Sequence, residues 1–275
     1  MKHTSPKPPL QITQWHANLS VRIWDHIVGF VFLLILFASG AVQSQSSDTG
    51  SQPAAGANSV DDHISFKLTP SWYRSDDGSR AGDINLRANT ETQTAWLGYY
   101  RDKTGFAQTR TGYENKLDGG WLRTVLSAQI ASSGFIGGSI TSEVGGDVFG
   151  IVGFGRTNLR DYYNLNFDPN DAITLGVGSR AITDTELTFY HLWDDRLHTQ
   201  QRVTHAIIRR KFSHHHRLTL DVSRKSGLTT DETFVRGYAA TLTYDFHSYF
   251  LRVARDQYVN FSPTSQLRIS LGARF

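Results

Sequence analysis

The first candidates for chemistry are a histidine and a serine close together in the chain. His63 and Ser65 lie two residues apart, so on an extended strand they share one face. A histidine placed there could take the serine proton and activate the hydroxyl for acyl transfer. No acid can be assigned to orient the histidine. A polar strand beginning is therefore the favoured interpretation, and no catalytic residue is predicted.

A run of histidines and a pair of carboxylates come next. His214, His215 and His216 are consecutive, and neutral imidazoles bind zinc or copper. Adjacent residues of an extended backbone point in different directions, so these three cannot all reach one ion. Asp194 and Asp195 fall in an expected loop, where neighbouring carboxylates are usually solvated or bridged by divalent ions. We predict no metal, no cofactor and no catalytic group at these positions.

A glycine-rich stretch over residues 133–155 has no phosphate-loop context, because no helix is expected to follow a strand there. Its glycines predict strong strand curvature, or room for bulky side chains inside a sheet structure.

The broadest chemical signal is a set of basic residues that share the polar parity of the chain. Fewer acids accompany them, such as Glu114, Asp221 and Asp245. Rings of arginine and lysine around an interior favour anions. The alternative is that these cations pair with acids or carbonyls across a wall, or meet lipid phosphate at a rim. The residues are Lys67, Arg87, Arg110, Arg123, Arg180, Arg252, Arg268 and Arg274.

The elements that position these residues follow from an alternation of period two. At the carboxyl end Leu267, Ile269, Leu271, Ala273 and Phe275 share one parity, and polar residues or glycine take the other. No segment shows a sustained helical period, so the chain is predicted to be all-β. Fourteen strands are expected, with twelve possible because the parity is weak in the third, fourth, ninth and tenth. They lie near residues 62–74, 81–90, 93–101, 105–116, 120–131, 134–143, 147–156, 171–181, 184–194, 200–212, 215–225, 233–246, 248–257 and 264–275.

A two-faced antiparallel sheet closes either as a soluble sandwich or as a membrane barrel, and the connections favour the barrel. Counting back from the last strand, longer connections alternate with tight turns in the carboxyl half, and the longest covers residues 157–170. Outer-membrane barrels sort their loops in this way. Aromatic residues also gather near strand ends, as interfacial girdles do. We expect a transmembrane antiparallel up-and-down β-barrel, with the longest loop folding over its mouth.

The amino terminus carries a targeting pattern. An apolar run over residues 27–38 follows a net positive stretch and precedes Ser39, Gly40 and Ala41. This pattern predicts a secretory signal peptide over residues 1–41, with an uncleaved anchor as the alternative. Residues 42–61 are rich in Ser, Gly, Gln and Ala and predict a disordered leader. The barrel is expected to span residues 62–275.

Charge and cysteine content exclude several other classes. The net charge is only +3, without the dense basic patch of a nucleic-acid-binding protein. The chain has no cysteine, so it forms no disulfide and no thiolate metal site.

With the targeting pattern, the alternating strands and the terminal LRISLGARF in view, the chain resembles Gram-negative outer-membrane β-barrel proteins. The resemblance covers about residues 62–275 and is one of class only. It implies an outer-membrane location, contact with membrane lipid and lipopolysaccharide, and recognition by the barrel-assembly machinery through Phe275.

Within that class the leading hypothesis is a small pore or diffusion channel, and a preference for small anionic solutes is a further expectation. An outer-membrane lipid-modifying hydrolase is one alternative, since the spacing of His63 and Ser65 is similar to that in such enzymes. A structural barrel that assists polymer export is another. The sequence leans against an enzyme.

Overall fold

The structure is a computed structural model, and it describes residues 64–163, 168–194, 196–213 and 215–275. The expected signal peptide and leader lie outside these residues. No helix in the described part of the chain is long and apolar enough to span a membrane.

Fourteen strands follow one another in the chain, and the prediction of fourteen is confirmed. Each expected strand boundary lies within three residues of the observed one. The strands are β1 Ser65–Ser75, β2 Arg80–Asn89, β3 Gln93–Asp102, β4 Ala107–Asp118, β5 Leu122–Ala131, β6 Ile136–Gly145, β7 Val148–Thr157, β8 Ala172–Ser179, β9 Thr185–Asp194, β10 Arg202–Ser213, β11 His216–Leu228, β12 Phe234–Phe246, β13 Tyr249–Asp256 and β14 Gln266–Arg274.

Every strand pairs antiparallel with its neighbours in sequence, and β14 pairs with β1 to close a barrel. The closure continues past β14. Phe275 N–H donates to the Phe66 carbonyl at 3.0 Å, and Phe66 N–H donates to the Phe275 carbonyl at 2.7 Å. Their rings stack with centroids 5.8 Å apart. The terminal residue therefore extends the last strand, and a closed ladder leaves no unpaired edge.

Apolar side chains cover the outside of the barrel. Trp72, Val177 and Leu271 are each about half exposed or more, at 55%, 58% and 48%. Their neighbours of the other parity, such as Tyr73 and Ser270, are buried inside. A soluble sandwich would bury the apolar parity between two sheets, so the barrel turns its polar parity inward as a membrane barrel does.

The connections differ at the two ends of the barrel. At one end, here the loop end, they cover residues 76–79, 103–106, 132–135, 158–171, 195–201, 229–233 and 257–265. At the other end, the turn end, they cover residues 90–92, 119–121, 146–147, 180–184, 214–215 and 247–248. The longest connection joins β7 to β8 at the loop end. Each turn-end connection is therefore shorter than the loop-end connections on either side of it, including in the amino half, where the sequence alone showed more even lengths.

Glycine makes room for large interior side chains at two places. The Phe149 ring lies over Gly178, and the Phe250 ring lies over Gly272. A Cβ on Gly272 would fall 1.8 Å from Phe250 Cε1, far inside van der Waals contact. The wall is thus notched so that an aromatic ring lies flat against it.

Gly272→Ala should destabilise the barrel, because the new methyl group displaces a ring that is only 1% exposed. Overpacking of this kind costs about 1–3 kcal/mol. Gly150→Ala is the matched control, since a Cβ there meets nothing closer than 3.9 Å. Urea unfolding followed by tryptophan fluorescence measures both variants. Equal midpoints for the two would contradict the packing described here.

Candidate functional site: the barrel interior

The interior at the loop end is crossed by the connection between β7 and β8. Its residues 161–163 lie against the wall formed by β3 to β5, where Gln108 holds the backbone. Gln108 Nε2 donates to the Asp161 carbonyl at 3.0 Å, and the Tyr163 N–H donates to Gln108 Oε1 at 3.0 Å. Ser133 Oγ also donates to the Asp161 carbonyl, at 2.5 Å. Because Gln108 is only 1% exposed, these hydrogen bonds are buried inside the barrel.

Tyr163 carries the connection to the opposite side of the barrel. Its ring stacks on Tyr100 with centroids 3.8 Å apart and meets Tyr73 edge-on at 6.4 Å. Its hydroxyl donates to Gln266 Oε1 on β14 at 3.2 Å. In a ring of fourteen strands β14 lies opposite β7, so the connection that leaves β7 reaches the far wall at this side chain. Burial raises the pKa of the Tyr163 phenol, which keeps the donor protonated.

A second tyrosine fixes the same part of the connection. Tyr162 stacks on Phe135 with ring centroids 4.2 Å apart, and its hydroxyl donates to Gln129 Oε1 at 3.1 Å. Two neighbouring tyrosines therefore point to different sectors of the wall, and the backbone between them is held in one place.

The returning part of the connection is held on the other side, by β10 and β11. Asp168 Oδ1 lies 2.9 Å from His205 Nε2, and Asp221 Oδ1 lies 2.8 Å from His205 Nδ1. Tyr190 stacks on the imidazole at 4.8 Å. A neutral imidazole has one N–H, so donating to both carboxylates requires the charged form. An ion pair inside the barrel thus holds Asp168.

The connection between β13 and β14 also folds inward. It contains a 3-10 turn, Val259–Phe261, whose Val259 and Phe261 are buried. Phe261 joins an apolar cluster with Ala172, Leu192, Val203 and Val235. The loop end of the barrel is therefore packed on its β8 to β12 side.

A buried ion pair supports the wall under Tyr163. Arg110 and Asp83 contact each other, with side chains 1% and 2% exposed. Arg110 Nη1 also donates to the Tyr163 carbonyl at 3.1 Å. The pair therefore joins β2, β4 and the crossing connection.

Asp83→Asn should unfold the barrel more readily, because it leaves the Arg110 charge buried without its counterion. Breaking one partner of such a pair costs about 3–5 kcal/mol. Asp147→Asn, in an exposed turn, is the matched control. The measurement is the urea concentration at which half of the barrel is unfolded. The folded fraction is read on gels, where the folded barrel and the heated, unfolded chain migrate differently. A midpoint for Asp83→Asn as high as that of the control would show that the pair contributes nothing.

Two of the cations predicted to face the interior contact acids of the wall. Arg123 contacts Asp118 at 3.2 Å, and Arg180 lies 2.8 Å from both Glu143 and Glu186. These contacts match the alternative in which basic residues pair with acids along the wall. The role of the whole set as a functional lining stays a prediction.

A second group of these cations occupies the turn-end half of β1, β2, β13 and β14. Lys67 stands directly opposite Arg87 on one side and Arg274 on the other in the strand registers. Lys67 lies 4.4 Å from the centre of the Phe250 ring, and Arg252 and Arg274 lie 5.6 and 5.3 Å from it. The counterion in this sector is Asp245, which both Arg217 and Arg274 contact.

An open cavity of about 490 Å³ remains beneath the crossing connection, on the β2 to β8 side. Its lining is mostly polar and includes Arg87, Arg110, Glu114, Ser127 and Gln129. The interior thus combines a packed mouth with open, mostly polar space below it.

The other chemical candidates do not take part in holding the crossing connection. Ser65 lies exposed at the turn end, where its hydroxyl reaches the Asn89 carbonyl at 3.4 Å, and His63 is outside the described residues. Asp194 accepts N–H bonds from Arg196 and Leu197 at 2.9 and 3.0 Å, so it shapes its own loop. Asp195 is not among the described residues.

The histidine run falls at the turn between β10 and β11, as expected. His215 stacks on His247 of the neighbouring turn at 4.8 Å, and His216 bonds the Tyr244 hydroxyl at 2.7 Å. His214 is outside the described residues. No group of three metal-ligating side chains in the described part of the chain is arranged to hold an ion.

Comparison with solved structures places the architecture. The Acinetobacter baumannii outer membrane protein Omp33 superposes with a TM-score of 0.54 at 9% identity, covering 77% of this chain and 98% of that one. The fold is that of a porin-like outer-membrane β-barrel. A mutant of the Rh. blastica porin aligns over 78% of this chain and all of its own, at 10% identity and a TM-score of 0.43. Salmonella typhi OmpF, in complex with daunomycin, gives 11% identity and a TM-score of 0.41, covering 78% of this chain and 97% of that one.

No protein-family model and no curated protein matches the chain. The similarity to this porin-like barrel is therefore one of fold, and the interior side chains must carry the functional argument.

The sequence did not single out the residues that hold the crossing connection. Gln108, Tyr162 and Tyr163 were not predicted, and the signal for them was weak. Paired tyrosines in the middle of the longest connection are the one feature that could have pointed to them. Their partners are 33 to 103 residues away in the chain, a separation that local patterns do not encode.

Proposed function

We propose that this protein is a small diffusion channel of the Gram-negative outer membrane that favours anionic solutes. The observation that carries the proposal is the interior itself: a polar lining surrounds a cavity of about 490 Å³ inside a closed porin-like barrel. The outward apolar surface suits a lipid environment, and the loop end would face the exterior, as in barrels of this class.

The crossing connection gives the channel a closed resting state. Gln108 and Tyr163 hold it on the side of β14 and β1 to β4, and the His205–Asp168 contact holds it on the side of β10. The mouth therefore opens only when these contacts break, and conduction should be intermittent.

Anion preference is supported by the cations of β1, β2, β13 and β14, where Asp245 is the counterion. A surplus of fixed positive charge in a narrow aqueous space concentrates anions and excludes cations.

The test is a planar-bilayer recording of purified, refolded barrel across a potassium chloride gradient. We expect discrete channel events and a reversal potential of the same sign as the chloride equilibrium potential. A bilayer that shows no current at either polarity would contradict the channel. A reversal potential of the same sign as the potassium equilibrium potential would contradict the anion preference alone.

A further inference from the structure

The basic sector at the turn end holds cations with several hydrogen-bond donors that bond no described residue. Lys67 and Arg87 form no hydrogen bond or ion pair with any described residue. Arg252 uses one donor, from Nε to Thr243 Oγ1 at 3.2 Å. A lysine ammonium has three donors and an arginine guanidinium has five. Most of the donors of Lys67, Arg87 and Arg252 therefore form no hydrogen bond with a described residue.

The register brings like charges side by side. Arg87, Lys67 and Arg274 stand in one row across β2, β1 and β14. Arg252 is close enough to Arg87 and Lys67 for mutual repulsion. Like charges directly opposite one another on a sheet are destabilising, so this row costs folding free energy.

Local acids offset only part of that cost. Asp245 is divided between Arg217 and Arg274, which leaves Lys67, Arg87 and Arg252 without a carboxylate of their own. Glu114 shares the cavity lining with Arg87, but no ion pair forms between them in the described part of the chain.

The sector is also built to a fixed shape. Phe250 is 1% exposed and lies flat in the notch left by Gly272. Its ring is the common neighbour of Lys67, Arg252 and Arg274, and cation–π attraction holds their heads around it. The ring thus organises the cations without neutralising them.

We infer that Lys67, Arg87 and Arg252 form a binding site for a small divalent oxyanion, of the sulfate or phosphate kind, on the barrel wall. Such a ligand supplies several acceptor oxygens and two negative charges, which match three converging cations with unused donors. A monovalent carboxylate would leave charge and donors unmatched. This site rests on the proposed channel function, and it names the class of solute that would bind within the channel.

Two readouts test the site. The first is block of chloride current by millimolar sulfate, which is divalent across the accessible pH range, compared with acetate at equal ionic strength. The second needs no conduction and measures the rise in unfolding temperature of the detergent-folded barrel on adding sulfate. Lys67→Gln combined with Arg252→Gln removes two of the cations. Arg101→Gln combined with Lys103→Gln, both exposed at the loop end, is the matched control.

The expected result is that sulfate blocks and stabilises the wild type and the control, and that the interior double variant weakens both effects at least tenfold in sulfate concentration. Equal stabilisation of all three proteins would overturn the site, because sulfate also stabilises folds by general exclusion. Block by acetate as strong as that by sulfate would overturn the divalent class.

The two proposals fail separately. If sulfate neither blocks nor alters the chloride current and does not stabilise the barrel, the anion site is contradicted and the channel is not. A silent bilayer with sulfate stabilisation lost in the interior double variant removes the channel and leaves the site. If the interior double variant fails to fold, Arg87→Gln alone is measured by the same two readouts.

Discussion

Tyr163→Ala should convert brief, infrequent openings into long ones. The substitution removes the stack on Tyr100 and the hydrogen bond to Gln266, the two contacts that carry the connection across the barrel. An aromatic pair contributes about 0.5–1.5 kcal/mol beyond its buried area, and a hydrogen bond about as much again. With the apolar area that the half-buried ring covers, the loss is about 3 kcal/mol.

A change of that size shifts the ratio of released to docked connection by about a hundredfold, since each 1.4 kcal/mol is a factor of ten. Single-channel open probability in planar bilayers measures the effect. Tyr99→Ala is the matched control. Tyr99 directly precedes Tyr100 on β3, and its side chain faces outward. An open probability for Tyr163→Ala no higher than for Tyr99→Ala would show that the connection does not close the channel.

Arg87→Gln combined with Arg252→Gln should abolish the anion preference. At about 6 Å in water one fixed charge changes the energy of a passing ion by about 0.7 kcal/mol. Each charge favours chloride about threefold and disfavours potassium about threefold, so removing two charges lowers the chloride-to-potassium permeability ratio about a hundredfold. The reversal potential in a potassium chloride gradient reports this ratio directly.

The matched control for charge is Arg74→Gln combined with Arg101→Gln, which removes the same two charges from exposed positions at the loop end. The control should retain the reversal potential of the wild type. If both double variants shift it equally, the preference arises from net charge and not from the interior row. The shift should shrink at high salt, because screening shortens the reach of fixed charges.

Strand placement was predictable from sequence because a barrel wall imposes period two on every strand. The alternation of Leu267, Ile269 and Leu271 with Arg268 and Ser270 needs no knowledge of partners. The same parity also indicates which cations point inward. It does not indicate how they pair, and Arg110 and Arg180 prove to be paired with acids whereas Lys67 is not.

The arrangement of the interior was not predictable because its contacts join distant parts of the chain. Tyr163 and Gln266 are 103 residues apart, and Phe250 lies in a notch made by Gly272 on the next strand. An isolated glycine in a strand suggests close approach of another group, but it does not name the group. The sequence could therefore propose a loop over the mouth without showing what holds it.

The central claim is that the polar interior is the conducting path, and a single introduced thiol tests it most directly. The chain has no cysteine, so Ser127→Cys, on the cavity wall, would be the one reactive site. Leu126→Cys, the adjacent outward residue, is its partner control. We predict that a charged, membrane-impermeant thiol reagent reduces single-channel current through Ser127→Cys, in the wild-type and Tyr163→Ala backgrounds, and leaves the current through Leu126→Cys unchanged. Full labelling of Ser127→Cys with no change in current would contradict it.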